Sequence, residues 1–207
     1  MVNRNRIFLK SIKNKKQFLI NFLAGPSSSG KSSWTIALIK NRNEMFDEII
    51  NSVVIISPHK QPEYDNLIKD GIATKLYEDL PNYDEILEMA KYHKDKGGFL
   101  LVLDDVLGEL DNDTRIQQIF TELCHHYKVT CILCVQNLFY RNTIYRTLSL
   151  NSSYIVIFKN PRDQRQITTL ASQSYPHKPA YLIQSFMNAT KDPHSYLLID
   201  YRQVCNI

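Results

Sequence analysis

The residues most able to do chemistry are Gly25-Pro26-Ser27-Ser28-Ser29-Gly30-Lys31-Ser32, two glycines five positions apart followed by lysine and serine. A loop of this pattern turns successive backbone N–H groups inward. With the N-terminus of the next helix, they converge on phosphate oxygens. Gly25 and Gly30 permit the tight path, Lys31 would reach the β- and γ-phosphates, and the Ser32 hydroxyl would ligate Mg²⁺. Pro26, Ser27, Ser28, Ser29 and Ser33 complete the expected cradle. The alternative is an ordinary serine-rich turn. The flanks decide for the phosphate loop: Phe18–Ala24 reads as a short apolar strand, and Trp34, Ile36, Ala37, Leu38 and Ile39 read as a helix.

Leu101-Val102-Leu103-Asp104-Asp105 is the second cluster. A buried strand ending in carboxylates puts negative charge at the C-terminal edge of a sheet, beside the phosphate loop. Asp104 would hold Mg²⁺, directly or through water, and Asp105 could orient and deprotonate an attacking water. Alone, the pair reads equally well as solvated carboxylates capping a turn; beside a full phosphate loop the catalytic reading is the stronger. The third cluster is one residue, Gln136, at the end of Cys131-Ile132-Leu133-Cys134-Val135. Its amide could sense a γ-phosphate and help position the water, or simply begin a loop. No Asn-Lys-x-Asp element for guanine is present, which favours ATP. Cys124-His125-His126 with Cys131 and Cys134 invites a zinc site, but alternation along a strand sends Cys131 and Cys134 to opposite faces.

These residues need a scaffold. Val53–Ser57 reads as a buried strand closed by Pro58, followed by a short helix and loop from Tyr64 to Lys75. Asp84–Lys96 has helical spacing and ends at Gly97-Gly98. Phe99–Leu103 and Val129–Val135 are continuous apolar runs, as expected of central parallel strands. Between them Ile116–Tyr127 reads as a helix capped by Asp113 or Thr114. Thr143–Leu150 reads as a short helix and Tyr154–Phe158 as a strand. Pro161 is expected to open a helix towards Ser174. Tyr181–Met187 reads as helical and His194–Tyr201 as a last strand. Strands alternating with helices predict an α/β fold, a three-layer α/β/α P-loop NTPase around a mostly parallel sheet.

At 207 residues the chain suits one such domain, expected over residues 18–207. Residues 1–17 hold Arg4, Arg6, Lys10, Lys13, Lys15 and Lys16 without an acid, a basic arm that reads equally as a solvated tail or a contact to phosphate backbone. The net charge of +4 does not by itself establish nucleic-acid binding. The four cysteines suit a reducing compartment, and no apolar run approaches a membrane span.

Taken together, the motifs resemble the genome-packaging ATPases of the FtsK/HerA superfamily, most closely those of Maverick/Polinton elements and related double-jelly-roll DNA viruses. The resemblance is carried by Gly25–Ser32, Leu101–Asp105, His125-His126 and Val135–Phe139, then by Arg146–Asn151, Phe158–Asp163, Leu170–Tyr175 and Ala189-Thr190 before Tyr196-Leu197-Leu198. It implies an ATPase, with ATP and Mg²⁺, that assembles as a homo-oligomeric ring and drives double-stranded DNA into a preformed viral capsid. Such a protein would act inside the host cell, in cytoplasm or nucleus, or with the virion, and at no membrane. Similar proteins often carry arginine just after the paired histidines, where this chain has Tyr127-Lys128. For the arginine acting across a subunit boundary the resemblance leaves Arg146 and Arg162, with Arg141 third. Two other readings fit a P-loop chain of this size. A nucleotide or nucleoside kinase lacks support from any arginine-rich lid. A non-hydrolysing assembly subunit is hard to reconcile with intact Lys31, Ser32, Asp104 and Asp105.

Overall fold

A computed structural model describes residues 20–46, 49–106, 113–127, 129–139 and 143–202. Strand β1 (Ile20–Ala24) runs into the glycine loop and helix α1 (Lys31–Lys40), followed by the single turn α2 (Arg42–Met45). Then come β2 (Ile50–Ile56), α3 (Pro62–Lys69), β3 (Lys75–Tyr77), α4 (Tyr83–His93) and β4 (Gly98–Asp104). Helix α5 (Thr114–Gln118) continues through a π-helical turn, Ile119–Leu123, into α6 (Cys124–His126). The remainder is β5 (Val129–Val135), α7 (Thr143–Leu150), β6 (Tyr154–Phe158), α8 (Arg165–Ser174), α9 (Pro179–Ala189) and β7 (Tyr196–Asp200).

The seven strands form one sheet in the order β3-β2-β4-β5-β1-β6-β7. All neighbouring pairs are parallel except β6 with β7. Strands β4, β5 and β6 are buried along their whole length, because helices cover both faces. Alternation divides their side chains. Phe99, Leu101 and Leu103 enter an apolar cluster with Ile86 of α4, Phe120, Leu148 of α7, Leu170 of α8 and Leu182 of α9. Leu100 and Val102 enter a second cluster with Trp34 and Leu38 of α1 and with Tyr64 and Leu67 of α3. This is the expected three-layer α/β/α arrangement.

The same alternation sends Cys131 into the first cluster and Cys134 into the second, so the two thiols lie on opposite faces of the sheet. Two expectations are corrected. Lys75, expected at the end of a loop, opens the edge strand β3, because Lys75-Leu76-Tyr77 is too short to show a period. Pro161 does not open a helix. The Asn160 side chain accepts from Arg162 N at 3.1 Å and that of Asp163 from Arg165 N at 3.1 Å, and these turns delay α8 to Arg165. Proline does open α3 and α9, at Pro62 and Pro179. In the sheet, β5 stands between β1 and the carboxylate strand β4.

Candidate nucleotide site

Register brings the three clusters to one sheet edge. Ala24, the last residue of β1, pairs with Val135 of β5, and Asp104 of β4 pairs with Cys134. Gly25, Gln136 and Asp105 are therefore the first residues beyond three neighbouring strand ends. Gly25 N donates to Val135 O at 3.1 Å and Asp105 N to Cys134 O at 3.1 Å, tying both loops to β5.

The glycines are required by geometry. A Cβ on Gly25 would stand 2.7 Å from both Phe158 Cβ and Ser29 Oγ. Gly30, at the start of α1, has φ 111°, a conformation that costs an L side chain strain. Lys31 is 8% exposed, and its Nζ donates only to the loop's own carbonyls, Gly25 O at 2.7 Å and Pro26 O at 3.1 Å. No described carboxylate lies within ion-pair distance of it. A nearly buried ammonium without a described counter-charge is a site for an anion. The Ser29 hydroxyl points the same way, being buried with no hydrogen-bond partner.

Asp104 is 2% exposed and receives three donors on one oxygen. Ser32 Oγ lies 3.2 Å from its Oδ2, Gln61 Nε2 3.0 Å and the Tyr64 hydroxyl 2.6 Å. The Cys134 thiol also bears on this carboxylate. A buried carboxylate held beside a serine hydroxyl suits a hard, oxygen-ligated cation such as Mg²⁺. Burial, reinforced by Cys134 and Asp104, raises the Tyr64 phenol well above its ordinary range, so it remains a donor at any working pH.

Asp105 adopts φ 58°, one of three positive-φ non-glycine residues among those described. Asp tolerates this left-handed state better than most side chains. The turn aims its carboxylate along the sheet edge, where Gln136 Nε2 donates to Oδ2 at 2.9 Å. The exposed His59 comes within 3.9 Å of the same oxygen.

Lys31, Ser32, Asp104, Asp105 and Gln136 are thus gathered at one edge. Arg162 sits exposed on the loop after β6, which also lies at this edge. Arg146 is exposed on α7 and bonds to none of them. Arg141 and residues 1–17 lie outside the described residues. Sequence reasoning missed Gln61 and Tyr64. The available signal was Pro62 opening a helix straight after a buried strand, which carries α3 over the same edge. Removing the Tyr64 hydroxyl takes one donor from a buried carboxylate. Tyr64→Phe is expected to cost about 1.5–3 kcal/mol of stability, measured by denaturant unfolding; an unchanged midpoint would show that the clamp does not form.

The fold has counterparts among known proteins. The genome packaging NTPase B204 from Sulfolobus turreted icosahedral virus 2, in complex with AMP, matches with a TM-score of 0.58 at 17% identity, over 90% of this chain and 94% of that one. Its ATP-gammaS complex gives 0.56 at 17% identity, over 88% and 92%. The cytoplasmic domain of the Thermomonospora curvata Type VII secretion ATPase EccC gives 0.51 at 11% identity, over 70% of this chain and 20% of that one. Identities this low speak to fold, which is that of P-loop ATPases. By sequence, no curated protein matches the chain. The family model described as Poxvirus A32 protein matches residues 5–156, well over half of the chain. The chain belongs to the Poxvirus A32 protein family.

Proposed function

We propose that this protein is an ATP-hydrolysing motor that assembles as a ring and drives double-stranded DNA into a viral capsid inside the infected cell. The observation that carries the reading is the convergence of an uncompensated Lys31, a clamped Asp104 and an Asp105–Gln136 pair on three adjacent strand ends. Support comes from the family and from a neighbour described as the DNA-packaging ATPase from Sulfolobus turreted icosahedral virus.

In this reading the loop from Gly25 to Ser33 holds the phosphates through its amides. Lys31 leaves the carbonyls of Gly25 and Pro26 to balance charge on the β- and γ-phosphates. Ser32 and Asp104 hold Mg²⁺, which when bound neutralises charge on the phosphate oxygens. Asp105 accepts the proton of the attacking water, and Gln136, already bonded to Asp105, keeps that carboxylate aimed. Arg162 or Arg146 acts on the neighbouring subunit's site. Residues 18–207 form the motor domain, and the arm of residues 1–17 contacts DNA or the capsid.

A packaging motor must grip every sequence it meets, so it reads the backbone rather than base edges. A charge of +4 on each subunit is multiplied around a ring. Duplex DNA is expected to raise ATP turnover and to bind without sequence preference, its affinity falling steeply between roughly 50 and 200 mM salt as counterion release demands. Fluorescence anisotropy at several salt concentrations, with phosphate release measured alongside, checks both. Salt-insensitive binding would contradict the motor, as would turnover requiring a small phosphate acceptor, the signature of a kinase.

A further inference from the structure

A cavity of about 560 Å³ opens beside the glycine loop. It reaches from Gln136 and Gly25, at the ends of β5 and β1, over the end of β6 to α9 and Lys191. Resting on the nucleotide reading of the loop, we infer that this cavity receives the adenine base of ATP, and that Gln184 and Asn188 recognise its edge.

Position is the first argument. Lys31, Asp105 and Gln136 mark where the terminal phosphate must lie, so the nucleoside extends away from the carboxylate strand, towards β6 and β7. The cavity runs in that direction from Gln136 and Gly25, and its volume falls in the range of small-molecule sites. It is also continuous with the loop, because Gly25 lines it.

The lining supplies the second argument. Pro161, Ile183 and Met187 give apolar walls suited to the faces of a flat ring. Met187, 59% exposed, is an adaptable thioether at the mouth. Gln184 and Asn188 lie one turn apart on α9, and Gln184 Nε2 donates to Asn188 Oδ1 at 3.3 Å. That bond leaves Gln184 Oε1 and Asn188 Nδ2 without a described partner, one acceptor and one donor a helical turn apart on α9. Adenine offers the complement, an exocyclic amino donor next to a ring-nitrogen acceptor, and side-chain amides commonly read adenine this way. The charged groups on the lining are Lys159 and Lys191, both exposed, and the half-buried Asp163, whose carboxylate accepts from Gln166.

The test separates base from phosphates by using inorganic tripolyphosphate, which has no base, against ATP and GTP, each with Mg²⁺ in calorimetry. The wild-type chain is expected to bind ATP at least about tenfold more tightly than tripolyphosphate or GTP. Gln184 and Asn188 are exposed helix residues, so Gln184→Ala/Asn188→Ala should fold normally. It should lose about tenfold in ATP affinity with tripolyphosphate affinity unchanged. Met187→Trp, which fills the mouth, should act in the same direction. ATP affinity unchanged in both variants would overturn the inference while leaving the phosphate site standing. GTP binding as tight as ATP and falling with it would overturn the adenine assignment. A wild-type chain that binds neither ATP nor tripolyphosphate would remove the nucleotide reading itself.

Discussion

Asp105→Asn is expected to keep the affinity for Mg·ATP while lowering turnover by roughly 10²- to 10⁴-fold, the usual contribution of a positioned general base. The expectation follows from how Asp105 is held. Its backbone is fixed by the bond to Cys134 O and its carboxylate by Gln136. An asparagine fits both constraints, because it tolerates the left-handed backbone and its amide oxygen still accepts from Gln136. What it cannot do is take a proton from water. Asp104→Asn should differ in kind. The buried Asp104 is clamped by Ser32, Gln61 and Tyr64, and the amide would weaken Mg²⁺ binding before any effect on the chemistry. Measuring nucleotide affinity and turnover across a Mg²⁺ titration separates them. If Asp104→Asn binds metal normally and Asp105→Asn does not, the two carboxylates have exchanged roles.

The strand, glycine loop and helix of residues 20–40 were legible because their signals are local: glycines at fixed spacing between an apolar strand and a helix. Two central strands and the helix α7 between them were legible for the same reason. Val129–Val135, Thr143–Leu150 and Tyr154–Phe158 match their expected bounds, since their periods or apolar runs are unbroken. The clamp on Asp104 was not legible, because Tyr64 and Asp104 are 40 residues apart and meet only through the β2–β4 pairing. Nothing in the spacing of Gln61-Pro62-Glu63-Tyr64 marks a tyrosine aimed at a carboxylate. Sheet order was hidden too. Parallel strands of similar composition do not announce their neighbours, and β5 entered between β1 and β4 unforeseen. At Pro161 a local rule lost to local competition. Asn160 and Asp163 offer side-chain oxygens to the very amides a helix start would have used.

Mixing two inactive variants is expected to restore ATP turnover, provided one lacks the lysine of the loop and the other lacks the arginine that acts across the boundary. Arg162 lies on the loop that follows β6, at the sheet edge that carries the phosphate site, and is free to reach outward from its own subunit. Gln166 steadies that loop. Its Nε2 donates to Asp163 Oδ2 at 2.8 Å, and its Oε1 accepts from Leu138 N at 2.7 Å, next to Gln136. A charge supplied from outside stabilises the phosphoryl group only in the transition state, so Arg162→Ala alone should lower turnover by about 10³-fold or more with ATP binding retained. Lys31→Ala should fail earlier, at binding, because nothing else described within the loop carries the compensating charge. In a ring each interface pairs the loop of one subunit with the outward face of the next. With equal, freely exchanging subunits, about one interface in four then joins an intact Lys31 to an intact Arg162. Turnover of the mixture should therefore rise to a sizeable fraction of wild type, while each variant alone remains inactive. The same mixture made with Arg146→Ala tests the other candidate. Failure of both, with subunit exchange shown independently by fluorescence transfer, would mean that neither arginine acts across the boundary.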